Sequence, residues 1–333
     1  MPTPLTIVVT PPVTAGLLEP PAGRAWFGAS TPPLGSSGTN AVGLAQWVAT
    51  AGSRPHILKF YKQSGWTGYP TDAEIALLTP ATGTPAFGFY GWKVGTSWAQ
   101  VASGGADAAV DAGLAGFKRW PHKMWITLWH EMDNNGVTNY SDYVNMFRYV
   151  VARAKSQGVT NIIWTWDPTG YSSRALAYKE WYPGDDVVEW IAWDPYAHAP
   201  DNDFSRNVNE TDTAPGGWTG FYNWATTPAT LGASGNRPTA FSGAKPLMLA
   251  EFGVDFRTGA PSNNGKTDAE GATYINTIVP RMPDYPRLKA IVYWCSLTAN
   301  GDYQIQRSGY PQSQAAFAAM VADPYFTLST TVT

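Results

Sequence analysis

The chain has 333 residues, of which 44% are apolar and 14% charged, and its net charge is −3. That length suits one barrel domain of about 250 residues with elaborated loops, and so sparse a charge leaves no basic field to hold a nucleic acid backbone. No apolar run approaches the ~18 residues needed to cross a bilayer, so neither nucleic acid nor membrane is expected as a partner.

Residues 1–22 are rich in Pro and Thr and predict an extended arm, with the folded domain over 23–333. The arm has no Lys or Arg, and its apolar IVV run is far shorter than a signal-peptide core. Export is therefore expected without a standard signal, or with a leader outside this chain, and the arm is the expected point of attachment to a larger assembly. Cys295 is the single cysteine. It excludes an intramolecular disulfide and leaves the redox compartment open.

From residue 24 onward, eight short apolar runs alternate with segments of helical period, the signature of repeated βα units around a parallel sheet. They are AWFGA (25–29), ILKFY (57–61), AFGFY (86–90), MWITLW (124–129), NIIWTW (161–166), EWIAW (189–193), LMLAE (247–251) and AIVYW (290–294). Helices are predicted over 41–51, 72–79, 105–119, 140–157, 267–279 and 312–322. In the fourth of these, Tyr140, Tyr143, Val144, Phe147, Val150, Val151 and Ala154 form one apolar stripe that Gly158 ends. The expected fold is α/β, a single (β/α)8 TIM barrel with elaborated βα loops. The segment 201–242, carrying Trp218, Phe221, Tyr222 and Trp224, is long for a connection. Because it leaves the sixth strand at the end where barrels place their active sites, it is read as a substrate-contacting loop with a short helix, with plain structural elaboration equally open.

Glu131 closes the fourth run and Glu251 the seventh, so both are expected on the catalytic face of the barrel. An ionised carboxylate at the end of an apolar strand is costly unless it is paired or used. Strands four and seven face each other across a barrel mouth, and glycoside hydrolysis needs two carboxyl groups flanking one bond. The 16 Trp, part of a 14% aromatic content, add flat faces on which sugar rings stack. His130 adjoins Glu131, but the position four residues on is Asn134, so the helical zinc pattern fails, and no metal or cofactor is expected. Serine-hydrolase and nucleotide-binding signatures are absent as well.

With these residues in hand, the chain resembles glycoside hydrolase family 26, best known for β-mannanases. WHEMD (129–133) is similar to the acid/base strand, YVNMFRYVVARAKSQGVTNIIWTWDP (143–168) to the helix and strand that follow, and WYPGDDVVEWIAWDPY (181–196) to the sixth-strand region. KPLMLAEFG (245–253) is similar to the nucleophile strand, and LKAIVYW (288–294) followed by NGDYQI (300–305) to the eighth. The resemblance implies a retaining mechanism with Glu131 as acid/base and Glu251 as nucleophile. It also implies that His130 lies near the acid/base or the sugar, that Tyr196 holds the nucleophile, and that Trp294 floors the central subsite. Two departures fall in the sugar-selecting subsites. DNNGVTNY follows the acid/base where the family has an aromatic-rich run, and FYGWKVG (89–95) offers Tyr90, Trp92 and Lys93 where it has a His. Trp166, ending the fifth run, completes the expected substrate contacts.

The expected activity is endo-hydrolysis of a β-linked polysaccharide, mannan first, with mixed-linkage glucan, xylan or a bacterial wall polysaccharide behind it. Extracellular or virion-associated action is expected. The competing reading is a carbohydrate-binding barrel without turnover, such as a phage tail or surface adhesin component.

Overall fold

All eight apolar runs become strands of one closed parallel barrel. They are β1 (Trp26–Ser30), β2 (Ile57–Lys62), β3 (Phe87–Trp92), β4 (Met124–Leu128), β5 (Ile162–Trp166), β6 (Trp190–Trp193), β7 (Leu247–Val254) and β8 (Leu288–Trp294). Each pairs in parallel with the next, and β8 pairs with β1 to close the cylinder. This computed structural model describes residues 18–32, 34, 38–62, 69–80, 85–95, 97–135, 139–210, 218–229, 237–257, 265–298 and 301–326. Residues 1–17 of the predicted arm lie outside the described residues.

Alternation along the strands divides the core into two layers. Trp26, Ile57, Phe87, Phe89, Trp125, Ile163, Trp190, Met248, Ala250 and Val292 fill the barrel interior, where the rings of Trp26 and Trp125 lie 5.5 Å apart and those of Trp125 and Trp190 5.4 Å. The opposite parity faces the helices, which is why the strands read as apolar throughout. Leu18 packs against the interior cluster, and Glu19 lies 3.8 Å from Lys289 on β8. The last residues of the predicted arm thus belong to the barrel.

The six predicted helices form within two residues of their expected ends, over Asn40–Ala51, Asp72–Leu78, Asp107–Lys118, Tyr140–Ser156, Asp268–Arg281 and Pro311–Val321. Two start with full capping boxes, at Thr71 with Glu74 and at Thr267 with Glu270. Gly43, in the first helix, sits so close to the chain that a β-carbon there would lie 2.0 Å from the Thr31 carbonyl oxygen. Because backbone blocks that space, Gly43→Ala is expected to destabilise by about 1–3 kcal/mol. A lowered urea midpoint checks this; an unchanged midpoint would show that the helix simply moves aside.

The segment 201–242 forms its expected short helix, but its described aromatics do not face the groove. Phe221, Tyr222 and Trp224 lie on a short helix, Phe221–Thr226, and are buried together with Trp218. Trp224 and Phe221 pack on Trp166 at ring distances of 5.8 and 6.2 Å. These aromatics complete the outer core instead of facing substrate, since their large apolar area is better buried than left at a wet rim. The polar residues of the segment, Asp201, Arg206 and Glu210, border a cavity beside the barrel mouth.

Candidate active site

Two local devices bring the paired glutamates over the mouth. After β4, Trp129 and Glu131 both adopt left-handed backbone, with φ of 53° and 50°, a conformation that costs a non-glycine residue energy and recurs where a side chain must be aimed. The turn is held by Glu131 N–H donating to the Asp167 carbonyl at 2.8 Å and by the Trp129 indole N–H donating to the Val94 carbonyl at 2.9 Å. On β7, the register with β8 is irregular between Leu249 and Phe252. Ala250 packs inside the barrel and Phe252 against the helices, so the irregularity falls at Glu251 and frees its side chain from strict alternation.

The result is a cavity of about 720 Å³ whose walls include Glu131, Glu251, His130, Tyr196 and Trp294. Glu131, Asp194 and Glu251 each present one carboxylate oxygen, and all three oxygens lie within 4.8 Å of one another. A second cavity of about 310 Å³ adjoins the first and shares Tyr171, Tyr196 and His198 with it.

The two glutamates have opposite surroundings. Glu251 Oε1 accepts from Lys59 Nζ at 3.0 Å and from the Tyr61 hydroxyl at 2.5 Å, while Oε2 accepts from the Tyr196 hydroxyl. Burial pushes the Glu251 carboxyl up, but the Lys59 charge and these hydroxyl donors outweigh it and hold the group below the usual glutamate range. Among the described residues, Glu131 accepts from the Asn134 amide alone, at 3.2 Å. Burial and the nearby Glu251 charge push it up to about 7. His130 is driven down to about 4 by burial, with Lys59 and Lys93 adding to the effect against the attraction of Glu251, so it stands in the mouth as a neutral imidazole near pH 7.

Of the expected substrate contacts, the fold brings His130, Tyr196 and Trp294 to the groove. Tyr90, Trp92 and Trp166 are not brought there, and those three expectations are corrected. Each is no more than 1% exposed. Tyr90 and Trp92 have the outward parity of β3 and pack on Phe117, at 5.5 and 5.2 Å, while Trp166 packs on Tyr182 at 5.1 Å. All three belong to the layer between strands and helices.

Four residues at the mouth went unnoticed in the sequence: Lys59, Tyr61, Asp167 and Asp194. A parity signal was present. Lys59 and Tyr61 continue the inward series that starts at Ile57, Asp167 continues Ile163 and Thr165, and Asp194 continues Trp190 and Ala192. Tyr171 went unnoticed too, because it lies in the loop after β5, where no periodicity applies; at 38% exposed it offers a ring to both cavities.

Facing carboxylates over a groove at the C-terminal mouth of a (β/α)8 barrel are also the arrangement found in barrel glycoside hydrolases. The family model of glycosyl hydrolase family 26 matches residues 122–214, in line with the resemblance noted in the sequence. An endo-β-1,4-mannanase from Cellulomonas fimi is 17% identical with a TM-score of 0.61, covering 94% of this chain and 74% of its own. A Bacillus subtilis mannanase is 14% identical with a TM-score of 0.58, covering 94% and 88%. A ruminal family 26 endo-β-1,4-mannanase is also 14% identical with a TM-score of 0.58, and this chain covers 92% of itself but 64% of that protein.

Proposed function

We propose that the chain is a retaining endo-glycoside hydrolase of a β-linked polysaccharide, mannan first, with mixed-linkage glucan, xylan and bacterial wall polysaccharide next in order. The observation that carries this reading is the approach of Glu131 and Glu251 to within 4.8 Å, oxygen to oxygen. Retaining enzymes keep their carboxyl groups about 5–5.5 Å apart, whereas inverting enzymes need about 6.5–9.5 Å to admit a water.

The surroundings of each glutamate match its role. Glu131, held protonated to about pH 7, gives its proton to the leaving oxygen while Glu251, held ionised, attacks the anomeric carbon. A covalent glycosyl ester of Glu251 results. Glu131, now a carboxylate, takes a proton from water, which attacks the ester and releases a product of unchanged configuration. The groove reaches from Lys62 and Glu74 beyond β2 to Trp294 and Tyr303 beside β8, which suits a chain lying across the mouth. Two proteins similar in fold are endo-β-1,4-mannanases, which supports mannan as the first substrate to test. A polymeric glycan substrate in turn implies action outside the cytoplasm.

Reducing-end release from a panel of plant mannans, β-glucans, xylans and bacterial wall polysaccharides tests the reading. Proton NMR of the first product gives the anomeric outcome. Retained affinity for a glycan without end release would establish the binding-only alternative, and initial inversion would reject the ester.

Tyr196 supplies a prediction of intermediate size. Its hydroxyl donates to the ionised nucleophile, a bond to a charged group worth about 1.5–3 kcal/mol, so Tyr196→Phe is expected to lower turnover by about 10–150-fold. The acid limb of the pH profile should move up, because Glu251 loses a donor that favours its ionised form. Unchanged turnover and limb would remove Tyr196 from the mechanism.

A further inference from the structure

One histidine at the mouth has no role in the scheme above. Tyr196 and Ala197 pair in parallel with Gly253 and Val254, so the chain after β6 runs beside the end of β7 beyond the barrel rim. The Asp255 N–H, donating to the Ala197 carbonyl at 3.1 Å, carries that register further. Tyr196 and His198, two residues apart, share a face. The Tyr196 hydroxyl donates to Glu251, and His198 meets Asp255, with Nδ1 3.4 Å from Oδ2.

Those two facing atoms are both buried, and among the described residues neither has any other hydrogen-bond partner. Asp255 is 0% exposed and is held by its other oxygen, since Oδ1 accepts from the backbone N–H groups of Arg257 and Asp302, each at 2.9 Å. Burial pushes its carboxyl up, but the contact with His198 and these two N–H groups outweigh it and hold the group below the usual aspartate range. An ionised Oδ2 can only accept, so the Nδ1 facing it carries a proton, and in the neutral ring Nε2 is left as an acceptor. The His198 side chain is nevertheless 38% exposed and borders both the main groove and the side cavity. With Nδ1 shut in, Nε2 is the ring nitrogen that faces them.

We propose that His198, its tautomer fixed by Asp255, is a sugar-binding residue whose Nε2 accepts a hydroxyl hydrogen from the glycan unit lying where the groove meets the side cavity. This inference rests on the hydrolase reading above. The Tyr303 ring joins His198 to the rest of the groove, at 5.5 Å from the ring of Trp294, 4.6 Å from that of Tyr196 and 6.4 Å from the imidazole. A glycan stacked on Trp294 and continuing over Tyr303 therefore comes to the imidazole beside the central sugar. Asp201 and Glu210, on the wall of the side cavity, offer further acceptors. Such an entrance suits the many hydroxyl donors of a neutral sugar and meets the carboxylate of an acidic one with like charge.

The test follows the ring nitrogens of the full chain, labelled with nitrogen-15 histidine, by NMR at pH 9, with His198→Ala identifying the His198 signals. Nδ1 is expected to carry the proton and Nε2 to be bare. In Asp255→Asn, the amide nitrogen replaces Oδ2 while Oδ1 keeps its two N–H donors, so the ring proton should move to Nε2. A proton on Nε2 in the wild type, or one that stays on Nδ1 in folded Asp255→Asn, would overturn the pinning. The wild-type spectrum decides this even if the variant fails to fold. No substrate is needed, so this outcome is separate from failure of the hydrolase reading. Recognition is then read in the Glu251→Gln chain, with β-1,4-linked mannohexaose, cellohexaose and xylohexaose as probes. The oligosaccharide that binds should shift the Nε2 resonance of His198, and adding His198→Ala should weaken its binding by about 2–10-fold. An unmoved Nε2 resonance at saturation, or undiminished affinity without the imidazole, would overturn the role in sugar recognition.

Discussion

Replacing Glu251 with Gln is expected to lower turnover by about 10⁴-fold or more while leaving the fold intact. The proposed nucleophile forms the covalent bond, so its loss removes the reaction path itself; even a 5–6 kcal/mol rise in the barrier corresponds to that factor. Gln keeps the shape of the side chain; with its amide oxygen at the Oε1 position it still accepts from Lys59 and Tyr61, and its amide N–H can donate to the Tyr196 hydroxyl oxygen. The variant should therefore bind glycan and give an unchanged circular dichroism spectrum. Rates of reducing-end release against a panel-identified substrate provide the measurement, and a variant within tenfold of wild type would end the assignment of Glu251 as nucleophile.

Glu131→Gln should cost about 10²–10⁴-fold, the usual contribution of a positioned general acid, and it should also change the shape of the pH profile. The working state has Glu131 protonated and Glu251 ionised. Activity should rise as pH passes upward through the depressed range of Glu251, then fall as pH passes upward through about 7, where Glu131 loses its proton. In Glu131→Gln, the part of that upper limb due to Glu131 should vanish. A substrate with a leaving group that needs no proton, such as a dinitrophenyl glycoside of the correct sugar, should recover most of the rate of the first step. Persistence of the whole upper limb, with no recovery on such a substrate, would assign the proton donor elsewhere.

The two glutamates were legible because each ends an apolar run, and the run itself announces a buried strand. Their neighbours were legible in proportion to how directly a local rule applied. His130 adjoins Glu131, Tyr196 follows the end of β6 and Trp294 is the last residue of β8, so their placement at the mouth follows from chain position. Tyr90, Trp92 and Trp166 are also in or at the end of strands, but they have the wrong parity. A one-residue difference in register sends a side chain to the other face of the sheet, and an aromatic in a run that is apolar on both faces carries no mark of the face it takes.

Sequence alone determined the barrel, since eight runs buried on both faces, separated by helical periods, have few other ways to satisfy their backbone and bury their surface. It determined, too, that two carboxylates stand at the ends of opposing strands. What only the tertiary structure decided is their difference in character. Lys59 and Tyr61 come from a strand nearly two hundred residues away from Glu251 in the chain, and the closed cylinder alone brings them to hydrogen-bonding distance. The left-handed turn at Glu131 and the register break beside Glu251 set the carboxyl separation. Such effects depend on the low dielectric and on distances of a few ångströms, and neither is encoded in any short window of the chain.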